Sequence, residues 1–137
     1  MKRPTHVSFT TLVCDTDFLI KISNFPAPEF QALVSKCGFE LATIPSVALE
    51  LKGLRNSKHQ MTSKHALHTL SLIGDKISLL EDSGQSSAVE ADDALIDFAK
   101  RHNDTVLVCT LDGKLLSRLE KMKVRYLTLR KDRPFMR

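Results

Sequence analysis

The chain has 137 residues, of which 42% are hydrophobic and 26% charged, and a formal net charge of +4. That length fits one domain with a real core, and no apolar run approaches the ~20 residues that cross a bilayer. The start, Met1-Lys2-Arg3-Pro4-Thr5-His6, has no apolar stretch behind it, so no signal peptide is expected.

Charge is unevenly spread. From Lys114 to Arg137 there are nine Lys or Arg and two acids, a net of +7; the first 113 residues carry a net of −3. An acidic body beside a basic flank suits a cation site next to a polyanion-binding surface. A solvated, Lys-rich last helix is the plainer reading of the same charges. Three cysteines, Cys14, Cys37 and Cys109, form an odd count without a C-x-x-C pair. They read as buried thiols in a reducing cytoplasm, not as a disulfide frame or zinc site.

Residues 1–9 are expected to be a lead-in, 10–130 one domain, and 131–137 a basic tail. Residues 10–14 form an apolar run ending on Asp15, which reads as a strand buried on both faces. A short helix is expected from about Asp17. Pro28 opens the next helix and Gly38 closes it. A second strand spans 39–43, and Pro45 opens a helix with Val47, Leu51 and Leu54 at helical spacing. Residues 63–73 form another amphipathic helix with Ala66, Leu67, Leu70 and Ile73 inward. A third strand covers 77–80.

Ser87-Ala88-Val89-Glu90 has the form of a capping box, so a helix should begin at Ala88. Strand four spans 105–109, a helix runs from Gly113 to Met122, and strand five spans 124–129. Strands alternating with helices at this spacing mean an α/β fold with a five-stranded parallel sheet.

Four acids hold positions that chemistry can use. Asp15 ends strand one, and in parallel sheets ligands sit beyond the carboxyl ends of the strands. Glu50 borders the core face of its helix. Asp93 lies in the second turn of the capped helix. Asp112 follows strand four. Carboxylates suit Mg²⁺ or Mn²⁺, and grouping them without a cation costs repulsion. Two such ions can activate water for phosphodiester cleavage.

Each acid also has an ordinary structural role. Asp15 can bond loop amides, Glu50 can pair with Lys52 or Arg55, Asp92 and Asp93 suit a helix start, Asp97 can pair with Arg101, and Asp112 can cap a helix. Those roles leave unexplained why acids recur at one end of the sheet. His59, His65 and His68 lie close in sequence, but with no acid or Cys beside them a polar helix face explains them better than zinc.

The stretches Val13-Cys14-Asp15-Thr16-Asp17-Phe18-Leu19, Pro45-Ser46-Val47-Ala48-Leu49-Glu50-Leu51, Ala91-Asp92-Asp93-Ala94-Leu95-Ile96 and Thr110-Leu111-Asp112 together resemble PIN-domain ribonucleases. Ala91-Asp92-Asp93-Ala94 and Tyr126-Leu127-Thr128-Leu129-Arg130 look most like archaeal relatives of the small-subunit rRNA-processing PIN endonucleases; VapC-type toxins share the frame. The resemblance implies a three-layer α/β/α sandwich with strand order 3-2-1-4-5. It implies that Asp15, Asp93 and Asp112 bind divalent metal, that Glu50 orients metal or water, and that the Thr110 hydroxyl supports them. Asp93 matches the family's position in its pair, and Asp92 stands beside it as a supporting residue. Asp17 is an extra ligand or a helix cap, and Lys114 stands where some relatives carry another acid.

The function so implied is a Mg²⁺- or Mn²⁺-dependent endoribonuclease acting in rRNA processing and ribosome biogenesis, with RNA, including pre-rRNA, as substrate. Lys52, Arg55, Lys114 and Arg118 are candidate phosphate contacts. Two rival readings keep the fold: a toxin silenced by an antitoxin, or a non-catalytic RNA-binding module working with ribosome-assembly proteins. Relatives often dimerise, so a homodimer is a further expectation, and no membrane partner is implied.

Overall fold

A computed structural model describes residues 11–80 and 90–137. In chain order the elements are β1 (Thr11–Cys14), α1 (Thr16–Asn24), α2 (Pro28–Cys37), β2 (Glu40–Thr43), α3 (Pro45–Arg55), α4 (Gln60–Leu72), β3 (Ser78–Leu79), α5 (Ala91–Arg101), β4 (Val106–Cys109), α6 (Gly113–Lys121), β5 (Tyr126–Arg130) and β6 (Arg133–Met136). The strands form one sheet in the order β3-β2-β1-β4-β5-β6, with helices packed around it. The first five are parallel in the expected order 3-2-1-4-5. The lead-in and the expected capping box at Ser87 lie outside the described residues.

The two central strands fix the site. Leu12, Val13 and Cys14 pair in register with Leu107, Val108 and Cys109, and all six are buried. Continuous apolar runs such as these are stable only where both faces of the sheet are covered. The chain leaves β1 toward β2 on one side and returns at β4 on the other. That reversal opens a crevice past the carboxyl ends of β1 and β4. The Asp15 N–H bonds the Cys109 carbonyl at 3.0 Å, holding the two strand ends together. Leu107→Ala should cost about 2–5 kcal/mol of stability in urea denaturation, because the side chain is fully enclosed in the core.

A sixth, antiparallel strand replaces the expected tail. Lys131 and Asp132, at φ 52° and 64°, make a two-residue turn with both central residues left-handed, and β6 folds back so that Leu127 faces Met136. Such turns favour Asn-Gly or Asp-Gly, so Lys-Asp gives little warning of one. Pro134, lacking an N–H, sits on the edge strand, where that loss is tolerated. The Arg130 guanidinium lies 3.6 Å from the Phe135 ring centroid. Lys21 pairs with Asp132 at 3.0 Å.

Other departures are local. Strand three is only two residues long. Leu67, expected inward, is 53% exposed. Ala66 and Thr69 carry the buried face of α4 instead, and the Asn24 amide ties that face to α1 by donating to the His65 carbonyl and the Thr69 hydroxyl. Cys14 and Cys109 are buried, but Cys37 is exposed. Burial holds the Cys109 thiol well above its usual pKa. Among the described residues, no helix is long and apolar enough to cross a membrane.

Candidate metal and active site

Asp15 is the N-cap of α1, because the chain turns from strand to helix at that residue. One carboxylate oxygen accepts the Phe18 N–H at 2.9 Å, and the other accepts the Thr110 hydroxyl. The residue is only 5% exposed. Burial, with Asp17 and Asp92 nearby, outweighs those two bonds and pushes its pKa up to about 7.

Thr110 links two acids. Its buried hydroxyl donates to Asp15 and accepts the Asp112 N–H at 3.0 Å. Asp112 in turn caps α6, accepting the Lys114 N–H at 2.9 Å. The amide-bonding role read from sequence for Asp15 and the capping role read for Asp112 therefore hold alongside their place at the crevice, and the cap of α1 is Asp15, not Asp17. Capping fixes where these carboxylates stand. It does not explain why one is buried among others.

Glu50 comes from α3, on the other side of β1. It accepts a hydrogen bond from the Thr16 hydroxyl, which fixes one of its oxygens toward the crevice. Nothing in the acidic motifs singles out Thr16. Its signal is its place directly after Asp15, in the first turn of α1. Leu54, one helical turn beyond Glu50, supplies an apolar wall. Asp17, Asp92 and Asp112 complete the lining, together with Asp15 and Glu50, of a cavity of about 460 Å³.

Of the pair, Asp92, expected as a supporting residue, is among the lining residues, and Asp93, expected as a metal ligand, is not. Asp92 faces the cavity; Asp93 is one residue, about 100°, further round α5. There Arg118 of α6 takes it at 2.7 Å, with both side chains about half exposed. Burial raises the Asp92 pKa, and the negative charges of Asp112 and Glu50 raise it further. Arg118 thus belongs to an ion pair at the rim. Lys114 lies exposed in the first turn of α6. Lys52 is about 200° round α3 from Glu50, away from the cavity. Arg55 is exposed beside Leu54.

A family model described as a PIN like domain matches residues 12–132. The chain belongs to the PIN-like domain family. No curated protein sequence matches it. Among solved structures, a structure of the PIN domain endonuclease Utp24 is similar with a TM-score of 0.66 and 18% identity, over 92% of this chain and 90% of that one.

Hard divalent cations fit this PIN-like domain on its donor set. Five carboxylates face one cavity with no cation among the lining side chains, and burial and neighbouring carboxylates drive two of them, Asp15 and Asp92, toward protonation. Among the described residues no three or more His, Cys, Asp or Glu side chains are placed together to hold a metal ion as they stand. That is compatible with Mg²⁺, which is commonly held by one or two carboxylates and keeps several waters.

Proposed function

We propose that this PIN-like domain is a metal-dependent endoribonuclease. The observation carrying the reading is a buried aspartate with a pKa near 7 in a cavity lined by four further carboxylates. Asp15, Asp92, Asp112 and Glu50 would hold Mg²⁺ or Mn²⁺, and the bound ion would supply Lewis acidity toward a phosphodiester. Thr110 holds Asp15 and Asp112 in one geometry, and Thr16 holds Glu50. Preset donors of this kind hold the site in shape as charge develops, with less rearrangement during the reaction. Asp17, exposed where it lines the cavity, would be a further ligand for a second ion. The Asp93–Arg118 pair braces α5 against α6 at the rim.

RNA as substrate, and rRNA processing as the setting, rest on the sequence resemblance of the four acidic stretches and of residues 126–130. The fold likeness to Utp24 is in keeping with them. Incubating the purified protein with single-stranded RNA tests the activity. Internal cleavage in Mn²⁺ or Mg²⁺, abolished by EDTA and leaving 5′-phosphate and 3′-hydroxyl ends, is the expected result. Cleavage that persists in EDTA, or leaves cyclic phosphate ends, contradicts it.

A further inference from the structure

The stretch 51–74 contains four Lys or Arg, three His and not one acid. It covers the end of α3, the turn after it and all of α4. Lys52, Arg55, Lys58 and Lys64 are exposed, and none is ion-paired among the described residues. Elsewhere several cations are engaged: Lys21, Arg101, Arg118, Arg133 and Arg137 each sit against a carboxylate. Lys52 and Arg55 suit the last turn of α3, but Lys58 and Lys64 have no such role, and like charges gathered about one turn repel.

The location matters as much as the charge. α3 carries Glu50 and Leu54 along the acidic cavity and then delivers Arg55 and the turn. A second cavity, of about 360 Å³, opens there, lined by Ser57, Gln60, Ser63 and Lys64. The Ser63 hydroxyl donates to the Arg55 carbonyl; the Ser57 hydroxyl, the Gln60 amide and the Lys64 ammonium are donors of the kind that proteins present to phosphate and sugar oxygens. The turn carries no aromatic anchor of the kind that dominates protein–protein hot spots.

We propose that the α3–α4 turn, through Arg55, Lys58, Lys64 and the Ser57–Gln60–Ser63 pocket, binds phosphates of a single RNA strand whose neighbouring segment lies in the acidic cavity. This rests on the nuclease reading for what happens in the cavity, but the binding itself is measurable without turnover. A polyanion beside an acidic cavity needs such a foothold, since the cavity without its ions repels phosphate.

The test is fluorescence anisotropy of a labelled single-stranded RNA in EDTA, using the full chain, across a range of salt concentrations. Lys58→Ala/Lys64→Ala should weaken binding about tenfold. The slope of log affinity against log salt should fall by about 1.4, at about 0.7 for each single-strand phosphate that the variant no longer neutralises. Lys36→Ala/Lys100→Ala, which removes two exposed lysines from α2 and α5, should leave both unchanged. Unchanged affinity and slope in the first variant, or an equal loss in the second, overturns the proposal. Loss of poly-glutamate binding with RNA binding intact also overturns it, in favour of an acidic protein partner. Loss of RNA binding in the first variant alone upholds it, even if the wild type cleaves nothing with any ion; that last result would remove only the nuclease reading.

Discussion

Asp15→Asn should lower Mn²⁺-dependent RNA cleavage by at least about 100-fold, and it should make the metal-free protein more stable at pH 8. Both effects follow from one burial. The carboxyl has a pKa of about 7 in the folded chain, against about 3.9 when unfolded. The folded state therefore binds more protons between those values, and stability falls as pH rises from about 4 to about 7. Above pH 7 the full cost of an ionised buried carboxylate is present, up to about 4 kcal/mol for three pK units. Asn is nearly the same shape and can still accept the Phe18 N–H, but carries no charge. The variant should exceed wild type by roughly 2–4 kcal/mol in urea denaturation at pH 8, with the gap closing near pH 4. A gap that does not change with pH would mean that Asp15 is not titrating in this range. Added Mn²⁺ should stabilise the wild type and leave the variant unmoved.

The second large effect separates two neighbouring residues. Asp92→Asn should reduce cleavage about 10- to 100-fold, whereas Asp93→Asn should stay within about threefold of wild type. Asp92 faces the cavity and feels Asp112 and Glu50. Asp93 faces Arg118 at the rim, and losing a half-exposed pair of this kind costs about 1 kcal/mol at most. Initial rates at saturating Mn²⁺ decide the matter. If Asp93→Asn is the inactive variant, α5 turns a different face to the cavity during the reaction, and Arg118 must release its partner on metal binding.

The helix period explains why sequence alone does not separate these two. Both aspartates precede the buried Ala94 and Leu95, and both suit a helix start. Only packing against β4 and α3 decides which of two positions 100° apart turns inward. The carboxyl ends of β1 and β4 were legible because buried parallel strands need unbroken apolar runs, and Asp15 and Asp112 follow those runs closely. Thr16 was not legible: a hydroxyl in a first helical turn has many local uses, and its bond to Glu50 spans 34 residues. β6 escaped for a different reason. Residues 133–136 include a proline and two charged or flexible side chains, and the turn before them lacks glycine. Leu67 shows the limit of periodicity on α4, where Ala, Leu and Thr crowd adjacent positions and the smaller residues took the buried face.

Locating Mn²⁺ by anomalous scattering in crystals of the protein tests the central claim most directly. At least one ion is expected between Asp15 and Asp112, within reach of Asp92, and the peak should vanish in Asp15→Asn crystals treated alike. Manganese bound only elsewhere on the surface, or a peak undiminished by that substitution, would contradict it.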